Sequence, residues 1–116
     1  MKIMNYKDIE GKSFSGDNVQ GVKGRVLIGQ ADGAKNFCMR LFELSPGGFT
    51  PKHSHDWEHE IIVHQGEGAV FKDGEWVPIS RGTVVFIPAN EEHQMKNVGD
   101  DLFAFVCLIP AGPPEI

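Results

Sequence analysis

Apolar residues recur along this chain in short runs with a period near two, separated by glycine, proline and asparagine. The runs VKGRVLIG, NFCMRLFEL, EHEIIVHQ, GAVFKDGEWVPI, GTVVFIP, QMKNVG and LFAFVCLI are rich in the β-branched and aromatic residues that suit a pleated surface. No stretch sustains the 3.6-residue period of an amphipathic helix. So many short strands at this spacing predict an all-β sandwich or barrel. The pair Asp73-Gly74 between VFK and EWVPI predicts a two-residue type I′ hairpin turn, whose central positions both need positive φ. The final run AGPPEI cannot extend a strand.

A chain of 116 residues with 41% apolar content has material for one domain and one core. We read 1–20 as an N-terminal arm, 21–110 as the barrel and 111–116 as a tail. The formal net charge of -5 argues against nucleic acid or an anionic membrane as partner, because both select basic patches. No charged stretch followed by an apolar one opens the sequence, so a cytoplasmic location is expected. Cys38 and Cys107 are then expected to be reduced core thiols.

The chemistry lies in four of the five histidines. His53 and His55 are two apart, so on an extended segment they project to one side. His59 opens the strand HEIIVHQ and shares a face with Ile61 and Val63, which turns it inward; Glu60, Ile62 and His64 take the other face. His93 follows the turn PANE and can complete a cluster only if the sheet folds back on itself, as a barrel does. His64, of opposite parity, is read as a surface or interface residue.

Gly47, His53, His55, His59 and Gly66 stand at the spacing of the first motif of the cupin superfamily, and Gly82, Pro88, Asn90, His93 and Asn97 at that of the second. The chain is therefore identified as resembling the small single-domain cupins. Two positions depart from the pattern: His59 replaces the motif glutamate, and Asn90 replaces a glycine, a mild change because asparagine tolerates left-handed backbone. Glu60 is also within reach of the glutamate's spacing, but His59 has the right distance to Gly66 and the right parity. Glu58 and Glu60 are then solvent-facing, or close enough to orient an imidazole. The resemblance implies a double-stranded β-helix (jelly-roll) barrel, a homodimer in which the N-terminal strand region pairs with a partner subunit, and one divalent transition metal per chain held by His53, His55, His59 and His93. Manganese is the ion the resemblance favours, while nitrogen ligation equally admits iron, nickel, copper and zinc.

Around such an ion, Phe105, Cys107 and Ile109 share a face of LFAFVCLIP, and Phe42, Phe49, Trp57 and Phe86 are candidates for aromatic walls. Arg40 lies on a strand whose faces are both largely apolar, and a buried arginine requires an anionic partner: a ligand, Glu43 or a dimer contact. The expected function is a metal-dependent oxidoreductase, dioxygenase-like or cleaving carbon–carbon bonds oxidatively, acting on a small organic substrate with dioxygen or peroxide. The alternatives are a non-catalytic binding module for a metal or small molecule, and a metal-dependent isomerase or lyase.

Overall fold

The computed structural model describes all residues, 1–116. Nine strands form one curled, wholly antiparallel sheet: β1 (Lys12–Phe14), β2 (Gln20–Ile28), β3 (Phe37–Phe49), β4 (His59–Gln65), β5 (Glu67–Lys72), β6 (Glu75–Ser80), β7 (Val84–Ile87), β8 (Met95–Asn97) and β9 (Phe103–Pro110). Their order is β6-β5-β8-β3-β9-β4-β7, with β2 also on β3 and β1 on β2. This is the double-stranded β-helix, or jelly roll. No helix is long and apolar enough to cross a membrane.

The period-two pattern decides which side of each strand faces in. Along β4, His59, Ile61 and Val63 are buried while Glu60, Ile62 and His64 are exposed. Along β9, Phe103, Phe105, Cys107 and Ile109 are all buried. These residues join Val22, Leu44, Ile79, Ile87 and Met95 in one core cluster, in which Leu44 and Phe103 are wholly inaccessible. Burying a side chain of this size contributes about 1.5–3 kcal/mol. The barrel wall opposite Phe103 is kept thin by Gly68, where a Cβ would collide with the Phe103 ring.

Turn chemistry sets the register. Asp73 and Gly74 have φ of 50° and 80°, the pair of positive values a type I′ turn needs, and the β5–β6 pairing runs without a slip from Lys72↔Glu75 to Glu67↔Ser80. Asn97 ties β8 to the connection before β9. Its amide nitrogen donates to the carbonyls of Leu44 (2.9 Å) and Asp101 (2.8 Å), and its side-chain oxygen accepts from the Gly99 N–H (2.8 Å).

The run VKGRVLIG lies in β2, which pairs with β3 of its own chain from Gln20↔Phe49 to Ile28↔Met39, and β1 takes part of its other edge. Arg40 does not pair with Glu43, because residues three apart on a strand point to opposite faces. Glu43 instead meets Arg25 of β2, with Nε and Oε1 2.9 Å apart.

Replacing Asn97 by alanine removes three hydrogen bonds at a buried position and leaves the Leu44 carbonyl without that donor. Asn97→Ala should lower unfolding free energy by about 2 kcal/mol or more, measured by urea denaturation, whereas Lys96→Ala on the neighbouring outward position should cost well under that.

Candidate metal centre

The pairing of β3 with β8 begins at Phe49↔Lys96 and continues beyond both strands as a backbone zip. Thr50 and Met95 exchange an N–H···O bond of 2.9 Å, and the Thr50 hydroxyl accepts from the Met95 N–H at 2.9 Å. His53 and His93 then form an isolated β-bridge, His53 N–H to His93 O at 3.1 Å and His93 N–H to His53 O at 2.8 Å. Asn90, in the left-handed region at φ 68°, donates its N–H to the His55 carbonyl. Residues directly opposite each other in an antiparallel bridge present their side chains to the same face. Two motifs 40 positions apart in sequence thereby deliver three imidazoles to one place.

His53 Nε2 and His55 Nε2 are 3.2 Å apart, and candidate ligand atoms of His53, His55 and His93 all lie within 4.8 Å of one another. Two nitrogens each ~2.1 Å from one ion at an angle of roughly 90–109° would be about 3.0–3.4 Å apart, so the His53–His55 separation fits a shared ion. The His93 Nδ1–H donates to the Glu91 carbonyl at 2.9 Å, which leaves Nε2 with a free lone pair. Trp57 stacks on His55, ring centroids 4.3 Å apart and planes 9° from parallel, and so limits its rotation.

His59 sits beside this group of three. Its ring centroid is 4.8 Å from that of His93 and 5.4 Å from that of His55. Only 6% of the residue is exposed, and its Nε2 is buried without a hydrogen-bond partner, an arrangement a metal ion would satisfy. On the other side of the ring, Nδ1 lies 3.4 Å from Cys107 Sγ and 3.5 Å from an Arg40 terminal nitrogen. A guanidinium cannot accept a hydrogen bond, so when Nδ1 carries the proton the sulfur is its acceptor and Nε2 keeps a free lone pair, the tautomer a metal ligand needs. Glu58 and Glu60 are exposed, Glu60 on the outer face opposite Phe86 and Leu108. Neither carboxylate lines the cavity described next.

The histidines form part of the lining of a cavity of about 270 Å³ whose 17 wall residues include 10 hydrophobic ones. Phe42, Phe105, Cys107 and Arg40 line it, as expected for candidates near an ion, together with Ile61, Ile87, Met95, Thr50 and Pro51. Ile109 packs in the core and does not reach the cavity. Phe49 is half-buried elsewhere, and Phe86 points out of the barrel with 58% exposure, because on β7 the inward positions are Val85 and Ile87. His64 is a surface residue against which the Tyr6 ring packs edge-on, centroids 5.5 Å apart. Phe14, Val19, Val22 and Ile116 complete the wall. Sequence reasoning passed over Ile116, since nothing local signals that a tail unable to form a strand will turn back onto the barrel. A second hollow of about 380 Å³ lies between β1, β2 and β3 and has no histidine or cysteine on its walls.

Electrostatics favours neutral imidazoles. Burial, reinforced by the neighbouring histidines and Arg40, lowers His53 to about 4 and His59 to about 3, and lowers His55 for the same reasons. Burial pushes the Cys107 thiol up and the Cys38 thiol up to about 11, so both remain protonated, and they are free.

These shifts carry a sign. Below the ordinary value of 6.5 the unfolded chain takes up protons at His53 and His59 that the folded chain refuses, so the stability they contribute is complete above 6.5 and falls as pH drops towards 4. For metal-free protein, the melting temperature should fall by several degrees between pH 7 and pH 5. A His53→Gln/His59→Gln variant should show a clearly shallower slope over that interval in the same calorimetric scan.

Residues 40–109, more than half of the chain, match the family described as Cupin domain. The polyketide cyclase RemF from Streptomyces resistomycificus superposes with a TM-score of 0.91 at 32% identity, covering 98% of this chain and 82% of that one. The polyketide synthase CurC of Streptomyces cyaneus is 28% identical over 101 residues, 86% of this chain and 63% of that protein. A glucose-6-phosphate isomerase of Pyrococcus horikoshii is 35% identical over 96 residues, 71% of this chain. The chain spans only half of that isomerase's length (50%), so the likeness covers one part of it. With the family pattern across most of the barrel and the fold matched over nearly all of the chain, this protein belongs to the cupin family.

Proposed function

We propose that this cupin is a metal-dependent enzyme acting on a small, carbonyl-bearing organic molecule, with His53, His55, His93 and His59 as the ligands of one divalent transition metal. The observation that carries this reading is the buried, unpartnered His59 Nε2 beside three imidazoles already brought within ligand distance of one another, on the wall of an apolar cavity. When bound, the ion would supply a Lewis acid for a substrate oxygen or, if redox-active, an electron-transfer centre. Protein groups do the rest. The cavity's hydrophobic walls strip water from the substrate, Trp57 and the Glu91 carbonyl hold His55 and His93 in orientation, and Cys107 packs against His59 Nδ1. RemF is a polyketide cyclase and the Pyrococcus relative an isomerase, and neither name denotes an oxidation, which supports non-oxidative chemistry on a carbonyl compound.

A second reading, the oxidative one, is favoured by the donor set itself. All-imidazole ligation leaves the ion's charge uncompensated and suits redox-active manganese, iron or copper as well as zinc. A homodimer belongs to both readings: Ile62, Val84 and Phe86 are exposed at 47%, 73% and 58% on the outer face of adjacent strands, an apolar strip of the kind that self-association covers.

Metal content by plasma mass spectrometry should give close to one ion per wild-type chain. Occupancy should collapse in His53→Ala and His93→Ala, fall in His59→Ala, and survive in Glu60→Ala. Retention by His59→Ala with loss in Glu60→Ala would overturn the ligand set. Turnover of aromatic β-diketones by zinc-loaded protein without oxygen uptake would establish the Lewis-acid reading; oxygen consumption only with manganese or iron would establish the oxidative one. Sedimentation at micromolar concentration should show twice the 12.8 kDa chain mass, and Val84→Glu/Phe86→Glu should return it to the monomer.

A further inference from the structure

Arg40 is only 8% exposed, lies on the cavity wall, and belongs to none of the three ion pairs in the protein. A guanidinium has five N–H donors. One terminal nitrogen donates to Cys107 Sγ at 3.0 Å, a weak acceptor, and stands 3.5 Å from His59 Nδ1; the other donates to the Glu115 backbone carbonyl at 3.4 Å. Nε is buried with no partner at all. The Phe42 ring lies 5.0 Å from the guanidinium carbon, a cation–π contact, and no aspartate or glutamate pairs with the charge.

The groups nearby do not neutralise it. The carboxylate of Glu115 is turned to the Gln30 N–H at 2.8 Å, so only its main chain reaches Arg40. The side-chain atoms within its reach, Cys107 Sγ and His59 Nδ1, belong to no carboxylate. An uncompensated buried charge costs several kcal/mol, and the cost is relieved when an anion arrives. The walls on either side are hydrophobic, with Phe42, Phe105 and Ile87 among them, and a volume of about 270 Å³ falls just below the ~300–1,000 Å³ range of drug-sized ligand pockets, which suits a small ligand.

We propose that Arg40 is an oxyanion subsite, and that the cavity takes a small, apolar organic acid whose carboxylate seats on the guanidinium while its body lies against Phe42, Phe105 and Ile87. This deepens the metal-centre reading by naming the substrate class, and it rests on that reading only for which end of the acid meets the ion. Arginine suits the role because its planar fork matches a carboxylate with two parallel hydrogen bonds, which a lysine ammonium cannot do.

The test is calorimetric titration of the full chain, metal-free and zinc-loaded, with benzoate and with its uncharged counterpart benzamide. Wild type should bind benzoate about tenfold or more tightly than benzamide in both forms, the range expected for hydrogen bonds to a charged group. Arg40→Gln should abolish that preference while leaving benzamide affinity within about twofold, and Arg40→Lys should retain part of it. Equal binding of the two probes by wild type, no benzoate binding at millimolar concentration, or a preference that survives Arg40→Gln would each overturn the proposal. Should Arg40→Gln fail to fold by circular dichroism, the wild-type ratio and Arg40→Lys decide. Zinc stoichiometry on the same samples separates the two readings: preference without zinc uptake sinks the metal centre and keeps the subsite, while zinc uptake without preference does the reverse.

Discussion

Two backbone hydrogen bonds between His53 and His93 hold this molecule's chemistry together. They extend the β3–β8 pairing past the end of both strands, through Thr50 and Met95, and bring the two histidine-bearing segments face to face. The segment carrying His53 and His55 is otherwise irregular, so without this zip its backbone would be free to move and its imidazoles would not converge. Asn90 anchors the far end by adopting the left-handed conformation that lets its N–H reach the His55 carbonyl. The site is thus held by main-chain geometry on the wall of a rigid barrel, which is how a scaffold keeps ligating groups in place before any ligand arrives.

The same convergence creates an electrostatic imbalance. His53, His55 and His59, all of depressed basicity, share one largely apolar cavity with His93, a buried guanidinium and a protonated thiol, and no aspartate or glutamate lines it. A core selected for stability alone would place hydrophobic residues here, because buried polar groups without partners are destabilising. The fold tolerates the imbalance because its other elements agree with one another: an uninterrupted β5–β6 hairpin, a fully buried Phe103 and Leu44, and the three hydrogen bonds of Asn97. Local disagreement between sequence and stability marks functional sites. Here the disagreement takes two forms, imidazole lone pairs without a partner and a guanidinium without an aspartate or glutamate. A metal ion would satisfy the imidazole lone pairs, and an anion would satisfy Arg40.

Arg40, Cys107 and His59 form the link between these two features. Because Cys107 Sγ receives the Arg40 N–H and lies against His59 Nδ1, it couples the orientation of a candidate ligand to that of the candidate anion-binding group. These side chains come from β3, β9 and β4, the three adjacent central strands of the sheet, whose registers Arg40↔Cys107 and Ile61↔Cys107 bring them together.

Much of this was legible in the order of residues, because side-chain direction on a strand depends on parity alone. The inward faces of β4 and β9, the inward turn of His59, the outward position of His64 and the Asp73-Gly74 turn all follow from period two and local φ preferences. Motif spacing identified the four histidines and the family. Sequence-level reasoning went astray where non-local packing decides: Phe86 faces solvent, Ile109 lies in the core away from the cavity, Glu43 pairs with Arg25, and Ile116 folds back to line the cavity. Parity could have excluded Phe86 and the Arg40–Glu43 pair once the strand bounds were known. For Ile116 there was no such signal. Sequence by itself determined the strands, their faces and the residues able to ligate, since each depends on neighbours one to six positions away. Only the tertiary structure decided which strands adjoin, that three histidines meet while His59 stands beside them with an unpartnered nitrogen, and that Arg40 is buried without an aspartate or glutamate partner; closure of the sheet sets those distances, and no local rule contains it.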